Sequence, residues 1–205
     1  MRLKVIIPVV VFTCLLFIAP NSIFAQEVLH KGNRGEEVYK LQEDLKKMGY
    51  FTDQPTGYYG SITDNAVRQL QLDTGLSQDG DVGSETQQKL DDIEMMAKVV
   101  QGEARGEPYE GKVAVAAVII NRVSESGFPN NTHDVIFQPN AFTAVNDGQY
   151  NLTPDSDSYH AVIDALKGSD PTFGSVYYYN PTIATNDWIF TRETEIKIGN
   201  HIFAK

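Results

Sequence analysis

Residues 99–122 read VVQGEARGEPYEGKVAVAAVIINR. Just upstream, Ile93, Met96, Ala97 and Val100 recur at helical spacing, so a helix over 92–102 buries one face and ends between Gly102 and Ala104. Gly106 and Pro108 then break the pattern. The run from Val113 to Ile120 is apolar on nearly every side, as in a central helix covered all round. Glu103 therefore falls where a buried helix ends. The macrodipole is negative there and burial removes water, and both raise a carboxyl's pKa. A glutamate kept protonated near neutral pH suits general-acid work. A solvated glutamate at a helix end fits the same spacing. Arg122, closing the apolar helix, is expected at the surface, with a site carboxylate as the alternative partner.

Downstream, residues 157–166 place Tyr159, Val162, Ile163 and Leu166 on one helical side. The C-terminus changes character. Val176–Pro181, Trp188–Phe190 and Glu195–Phe203 read as short strands, and Gly199-Asn200 supplies a two-residue hairpin turn. The fold class is therefore α+β, mainly helical with a small C-terminal sheet. The tyrosines and Trp188 suit either a sugar cleft or the core.

Upstream, residues 32–90 contain an echo. Gly57-Tyr-Tyr-Gly60-Ser-Ile-Thr63 recurs as Gly80-Asp-Val-Gly83-Ser-Glu-Thr86, G-x-x-G-S-x-T twice. Ser61 with Asp64, Ser84 with Gln87, and Asn33 with Glu36 read as helix N-caps. The first helix presents Val38, Leu41, Leu45 and Met48, and the second Ile62, Ala66, Val67 and Leu70. The third is short and ends near Leu90. The tyrosines around Gly57–Gly60 suit local packing or a ligand. Gly32, Gly35, Val38, Leu41, Gln42, Leu45, Gly49 and Tyr50 fit G-x-x-G-x-x-V-x-x-L-Q-x-x-L-x-x-x-G-Y. With the repeated G-x-x-G-x-x-T, this region resembles the peptidoglycan-binding module of bacterial wall enzymes. It departs at Thr56-Gly57, where such modules usually have Asp-Gly; Asp79-Gly80 keeps that pair.

The first 25 residues stand apart from the fold. Arg2 and Lys4, an apolar run from Val5 to Ala19, a break at Pro20 and the small residue Ala25 read as a secretory signal peptide. Cys14, the only cysteine, would be removed with it. The exported chain would then have no disulfide, thiolate nucleophile or cysteine metal site. The formal charge of −10 for the whole chain argues against nucleic acid and against anionic membrane surfaces. His30, His133, His160 and His201 lack the spacing of a zinc motif, and there is no G-x-S-x-G. No cofactor or metal is expected.

The second half, in the blocks GEARGEPYEGKVAVAAVIINRV, FPNNTHDVIFQPNAFTAVNDG, YYYNPTIATNDWI and IGNHIF, resembles the SleB/CwlJ type of cell wall hydrolase, the spore cortex-lytic enzymes. The division expected is 1–25 signal peptide, 26–91 peptidoglycan-binding domain and 92–205 catalytic domain. The resemblance implies a lysozyme-like catalytic fold. It also implies cleavage between muramic acid and glucosamine by a lytic transglycosylase on spore cortex. A vegetative or sporulation-stage hydrolase and an N-acetylmuramoyl-L-alanine amidase are the alternatives. The first Glu of G-E-A-R-G-E matches the family's catalytic residue, hence Glu103, with Glu107 as the other candidate. Glu107, Thr143, Tyr178, Asn180, Trp188 and His201 are assigned to holding the sugar. The implied partner is the glycan strand, with an accessory regulatory protein left open. The protein is expected to be a monomer exported to cell wall or cortex.

Overall fold

A computed structural model describes residues 28–205. The expected signal segment, 1–25, lies outside the described residues. No helix among the described residues is long and apolar enough to cross a membrane.

Two helices open the chain, α1 (Glu36–Lys47) and α2 (Ser61–Asp73). Their buried faces are Val38, Leu41 and Leu45 on one and Ala66, Val67 and Leu70 on the other. Ile62 is 56% exposed, and Thr63 takes the buried place beside it. The expected serine and asparagine caps are corrected. Gly35, Gly60 and Gly83 occupy the cap positions with no side-chain cap bond, and Ser61 and Ser84 are the first helical residues.

The turns are organised by two buried glutamines. Gln42 Oε1 accepts the Thr56 and Gly57 N–H groups at 2.7 and 3.0 Å, and its Nε2 donates to Thr63 Oγ1 at 2.8 Å. One repeat later, Gln71 Oε1 accepts Gly80 N–H at 2.9 Å, and its Nε2 donates to Thr86 Oγ1 at 3.1 Å. Gly57 and Gly80 stand at φ +70° and +74°, which glycine adopts without a Cβ penalty. The sequence echo is thus a repeated device: a V-x-x-L-Q helix reaches into the following turn, and a threonine closes it. At the Thr56 departure, Thr56 Oγ1 accepts Tyr58 N–H as Asp79 Oδ1 accepts Asp81 N–H.

The third helix, α3, runs unbroken from Ser84 to Ala104. The short helix ending near Leu90 and the separate helix over 92–102 are one element. Leu90, Ile93, Ala97, Val100 and Ala104 form a single buried stripe at spacings of three and four, with no glycine or proline between residues 84 and 101 to interrupt it. The expected boundary at 91/92 falls inside this helix. One continuous apolar cluster runs from α1 and α2 through α3 into the second half.

Pro108 opens α4 (Tyr109–Ser124), whose residues Gly111–Ile119 are all buried. Two short helices follow, α5 (Thr132–Phe137) and α6 (Thr143–Asp147), and then α7 (Ser156–Leu166). Asp155 caps α7, accepting Ser158 N–H at 2.7 Å, and meets the buried Lys112 ammonium at 3.0 Å. The N-terminal helices rest on α7. Lys167 and Asp73 lie 3.6 Å apart, the Tyr159 hydroxyl donates to Glu94 at 2.6 Å, and a Cβ on Gly49 would come within 2.9 Å of His160.

The chain ends in strands β1 (Tyr177–Tyr179), β2 (Thr194–Ile198) and β3 (His201–Ala204), an antiparallel sheet in the order β1-β3-β2. Its inner face, Ile198 and Phe203, packs on Ala114 and Val118 of α4. The Gly199-Asn200 turn is as expected. The strand expected at Trp188–Phe190 is instead a 3-10 turn over Asp187–Thr191. Asn186 diverts the chain there, because its side chain accepts Trp188 N–H at 3.1 Å.

Candidate active site

A cleft of about 740 Å³ lies between the end of α3, the loop 138–144 and the sheet side of the second half. Glu103 stands on its floor. The approach of α6 to this point depends on Gly102, where a Cβ would meet Ala144 Cβ at 2.5 Å. That closeness lets the Ala144 N–H donate to Glu103 Oε1 at 2.6 Å. The Tyr178 hydroxyl and the Thr143 N–H also face the carboxyl and favour its ionised form.

Burial dominates the electrostatics of this group and raises the Glu103 pKa. The Ala144, Tyr178 and Thr143 donors pull it down, and nearby Asp147 pushes it up; the net direction is upward. Tyr178 is held well above its ordinary value by burial and by the Glu103 charge, so it stays a neutral donor. His201 is lowered by burial and is therefore neutral more readily, although Glu107 opposes this.

Of the residues expected to hold the sugar, Thr143, Tyr178, Asn180, Trp188 and His201 all line this cleft with Glu103. Glu107 does not. Its carboxylate turns to the β2–β3 turn and accepts Asn200 N–H at 2.9 Å and Asn200 Nδ2–H at 3.0 Å. Burial pushes its pKa up, but these two hydrogen bonds outweigh it and the net direction is down. An acid needs its proton near neutral pH, and Glu107 is arranged to lose it. Glu103 is thus the one carboxylate among the described residues that line the cleft.

Arg122 corrects a further expectation. It is 6% exposed rather than at the surface. Its Nε donates to Val176 O at 2.7 Å and Nη1 to Ala141 O at 3.3 Å, with the guanidinium 4.8 Å from the Phe142 ring centre. It ties β1 to the loop before α6 from beneath. Gln138, Asn140, Gln149 and Asn186 also line the cleft, and no sequence pattern singles them out. They lie in loops or, for Gln149, in a single 3-10 turn, without periodicity, and their amides are common turn residues with no spacing signal. Trp188 forms one wall, 46% exposed, edge-on to Tyr177 with ring centres 5.2 Å apart. Arg122 lines the cleft as well, and apart from it amides, hydroxyls and aromatic faces surround the one buried carboxyl, a lining that suits a hydroxyl-rich ligand such as a glycan.

Comparison with known proteins agrees with this picture. A Cell Wall Hydrolase family model matches residues 106–204, and a peptidoglycan binding domain model matches residues 34–90. The hydrolase match begins three residues after Glu103. The spore cortex-lytic enzyme of Bacillus cereus is 40% identical, over 89% of this chain and 88% of its own length. That of Bacillus subtilis strain 168 is 31% identical over 95% of each. The latter alignment extends over 290 residues against 205 here, so that relative carries additional residues within the matched span. The catalytic domain of the germination-specific lytic transglycosylase SleB from Bacillus anthracis superposes with a TM-score of 0.54 at 59% identity, covering 56% of this chain and 93% of that one. With both halves matched and the similarity running through most of the chain, the protein belongs to the spore cortex-lytic enzyme family.

Proposed function

We propose that this protein cleaves the glycan strand of spore-cortex peptidoglycan between muramic acid and glucosamine, as a lytic transglycosylase with Glu103 as its proton donor. The observation that carries this reading is the single carboxylate of the cleft. A glycosidase of the common kind uses two carboxylates flanking the bond. A transglycosylase needs one. Protonated Glu103 gives its proton to the bridging oxygen, and the bond to the muramic carbon breaks. The substrate's own C6 hydroxyl attacks that carbon, and the Glu103 carboxylate takes the hydroxyl proton. The product is a 1,6-anhydro end, and Glu103 is protonated again.

The surroundings of Glu103 serve both half-reactions. Burial favours the neutral acid before transfer. The Ala144 N–H and the Tyr178 hydroxyl are in place to stabilise the carboxylate that transfer creates. Thr143, Asn180, Trp188 and His201 hold the sugar, with Trp188 offering a stacking face. The N-terminal module holds the wall while the cleft cuts. A leader at residues 1–25 exports the chain to the wall or cortex.

Mass spectrometry of fragments released from purified cortex tests the reaction. Anhydromuramic ends are expected. Reducing ends would mean that water is the acceptor, and free stem peptides would mean an amidase.

A further inference from the structure

Glu107 lies four residues from Glu103, outside the cleft, yet it makes a two-point contact across 93 positions of sequence. Both of its bonds go to Asn200, one from the backbone and one from the side chain. The fit is close. Gly199 stands at φ +57°, and a Cβ there would fall 2.0 Å from Glu107 Oε2 and 2.9 Å from Pro108 Cδ. The joint between α3 and α4 therefore grips the β2–β3 turn directly.

The next residue along is His201, which lines the cleft. It is 8% exposed, and its Nδ1 is buried with no hydrogen-bond partner. The ring packs edge-on against Tyr178, with centres 5.2 Å apart and planes at 67°. No bond at Nδ1 fixes its position. The ring stands where packing and the turn's backbone put it, and the turn is pinned by Glu107. Tyr178 in turn meets Glu103.

We infer that Glu107 is a positioning residue: by accepting both N–H donors of Asn200 it fixes the β2–β3 turn, and through it sets His201 and Tyr178 against the carboxyl of Glu103. This rests on the reading of Glu103 as the proton donor. The clamp joins the two walls of the cleft, since residues 103–107 are one short stretch and the sheet is the opposite wall. A misplacement of about 1 Å near reacting groups can cost on the order of 100-fold in rate.

Cleavage of cortex fragments is measured at limiting and saturating substrate for Glu107→Ala, Glu107→Gln, Asn200→Ala and the Glu107→Ala/Asn200→Ala pair, with Glu103→Gln alongside and melting temperatures for each. Glu107→Ala is expected to lose roughly tenfold or more, mainly in kcat. Asn200→Ala should lose a similar amount, and the pair no more than either single variant, because one contact is broken three ways. Glu107→Gln keeps an acceptor for the Asn200 N–H and should recover most of the loss. Additive losses in the pair would overturn the clamp. So would Glu107→Ala at wild-type rate, or Glu107→Gln as inactive as Glu103→Gln, which would make Glu107 an acid in its own right. Should Glu107→Ala fail to fold, Asn200→Ala and Glu107→Gln still decide the matter. An active Glu103→Gln would instead sink the proton-donor reading, while the coupling of Glu107 to Asn200 would still be read from the pair.

Discussion

The module and the cleft both bury polar side chains, and they treat them differently. In the module, Gln42 and Gln71 are each 1% exposed, and the carbonyl and amide nitrogen of each are bonded to a turn or to a threonine. In the cleft, Glu103 is buried at a cost to its ionised form, and His201 Nδ1 has no partner at all. A satisfied buried group fixes one backbone arrangement. A buried group whose charged form is disfavoured, or whose polar atom has no partner, costs stability and marks a place shaped by something other than folding. The contrast separates the part of the molecule that holds from the part that reacts.

Breaking the comparison at the cleft should have the largest effect. Glu103→Gln is isosteric, keeps an acceptor for the Ala144 N–H and has no proton to give. Cortex cleavage should fall on the order of 10²–10⁴-fold with the fold intact. Solubilisation of purified cortex, with a melting curve on the same sample, checks it.

The matching break in the module acts on stability. Gln71→Ala strips the Gly80 N–H and the Thr86 hydroxyl of a buried partner, and should cost about 2–3 kcal/mol. A urea titration reads the loss. An unchanged midpoint would mean that the glutamine is an ornament of the turn rather than its anchor.

A finer cut separates Tyr178 from Glu103. The hydroxyl favours the Glu103 carboxylate and so holds its pKa down. Tyr178→Phe releases this, and the Glu103 pKa rises. As the proposed proton donor, Glu103 acts only when protonated, so activity should fall as pH climbs through its pKa. The high-pH limb of the kcat profile should therefore move to higher pH in the variant. Movement to lower pH would break the assigned role of the hydroxyl.

The smallest effect lies in stability against pH. The folded-state pKa of Glu103 is raised by burial, so its contribution is intact below the unfolded value and is lost as pH rises through the folded value. Glu103→Gln has no such loss. It should melt above the wild type at neutral pH and level with it in acid, as differential scanning calorimetry would report. Glu107 has the opposite sign: held down mainly by Asn200, it stabilises above the unfolded pKa and loses that contribution as pH falls through the folded one.

Much of this arrangement is legible in the sequence, for identifiable reasons. The apolar run of α4 and the break at Gly106–Pro108 place Glu103 at a helix end, because periodicity and breakers are local signals. The hairpin at Gly199-Asn200 is legible for the same reason. The continuity of α3 is legible in the stripe of Leu90, Ile93 and Ala97, but the change of character between the module and the second half suggests a break that the helix does not have. The aromatic neighbours of Trp188 point to a strand, and a single Asn186 side chain overrides them. The burial of Arg122 is not legible, because nothing local announces two backbone carbonyls from distant loops, Val176 and Ala141, converging on it. The split between Glu103 and Glu107 was equally invisible. It depends on Ala144 and Asn200, each far along the chain.

The central claim is that these two glutamates, four residues apart, are driven in opposite directions. Carboxyl-carbon NMR titration of glutamate-labelled protein, with Glu103→Gln and Glu107→Gln used to assign the two signals, measures it directly. Glu103 should titrate above the ordinary glutamate value of 4.5 and Glu107 below it. A Glu103 that titrates with the exposed glutamates, or below Glu107, would contradict the account.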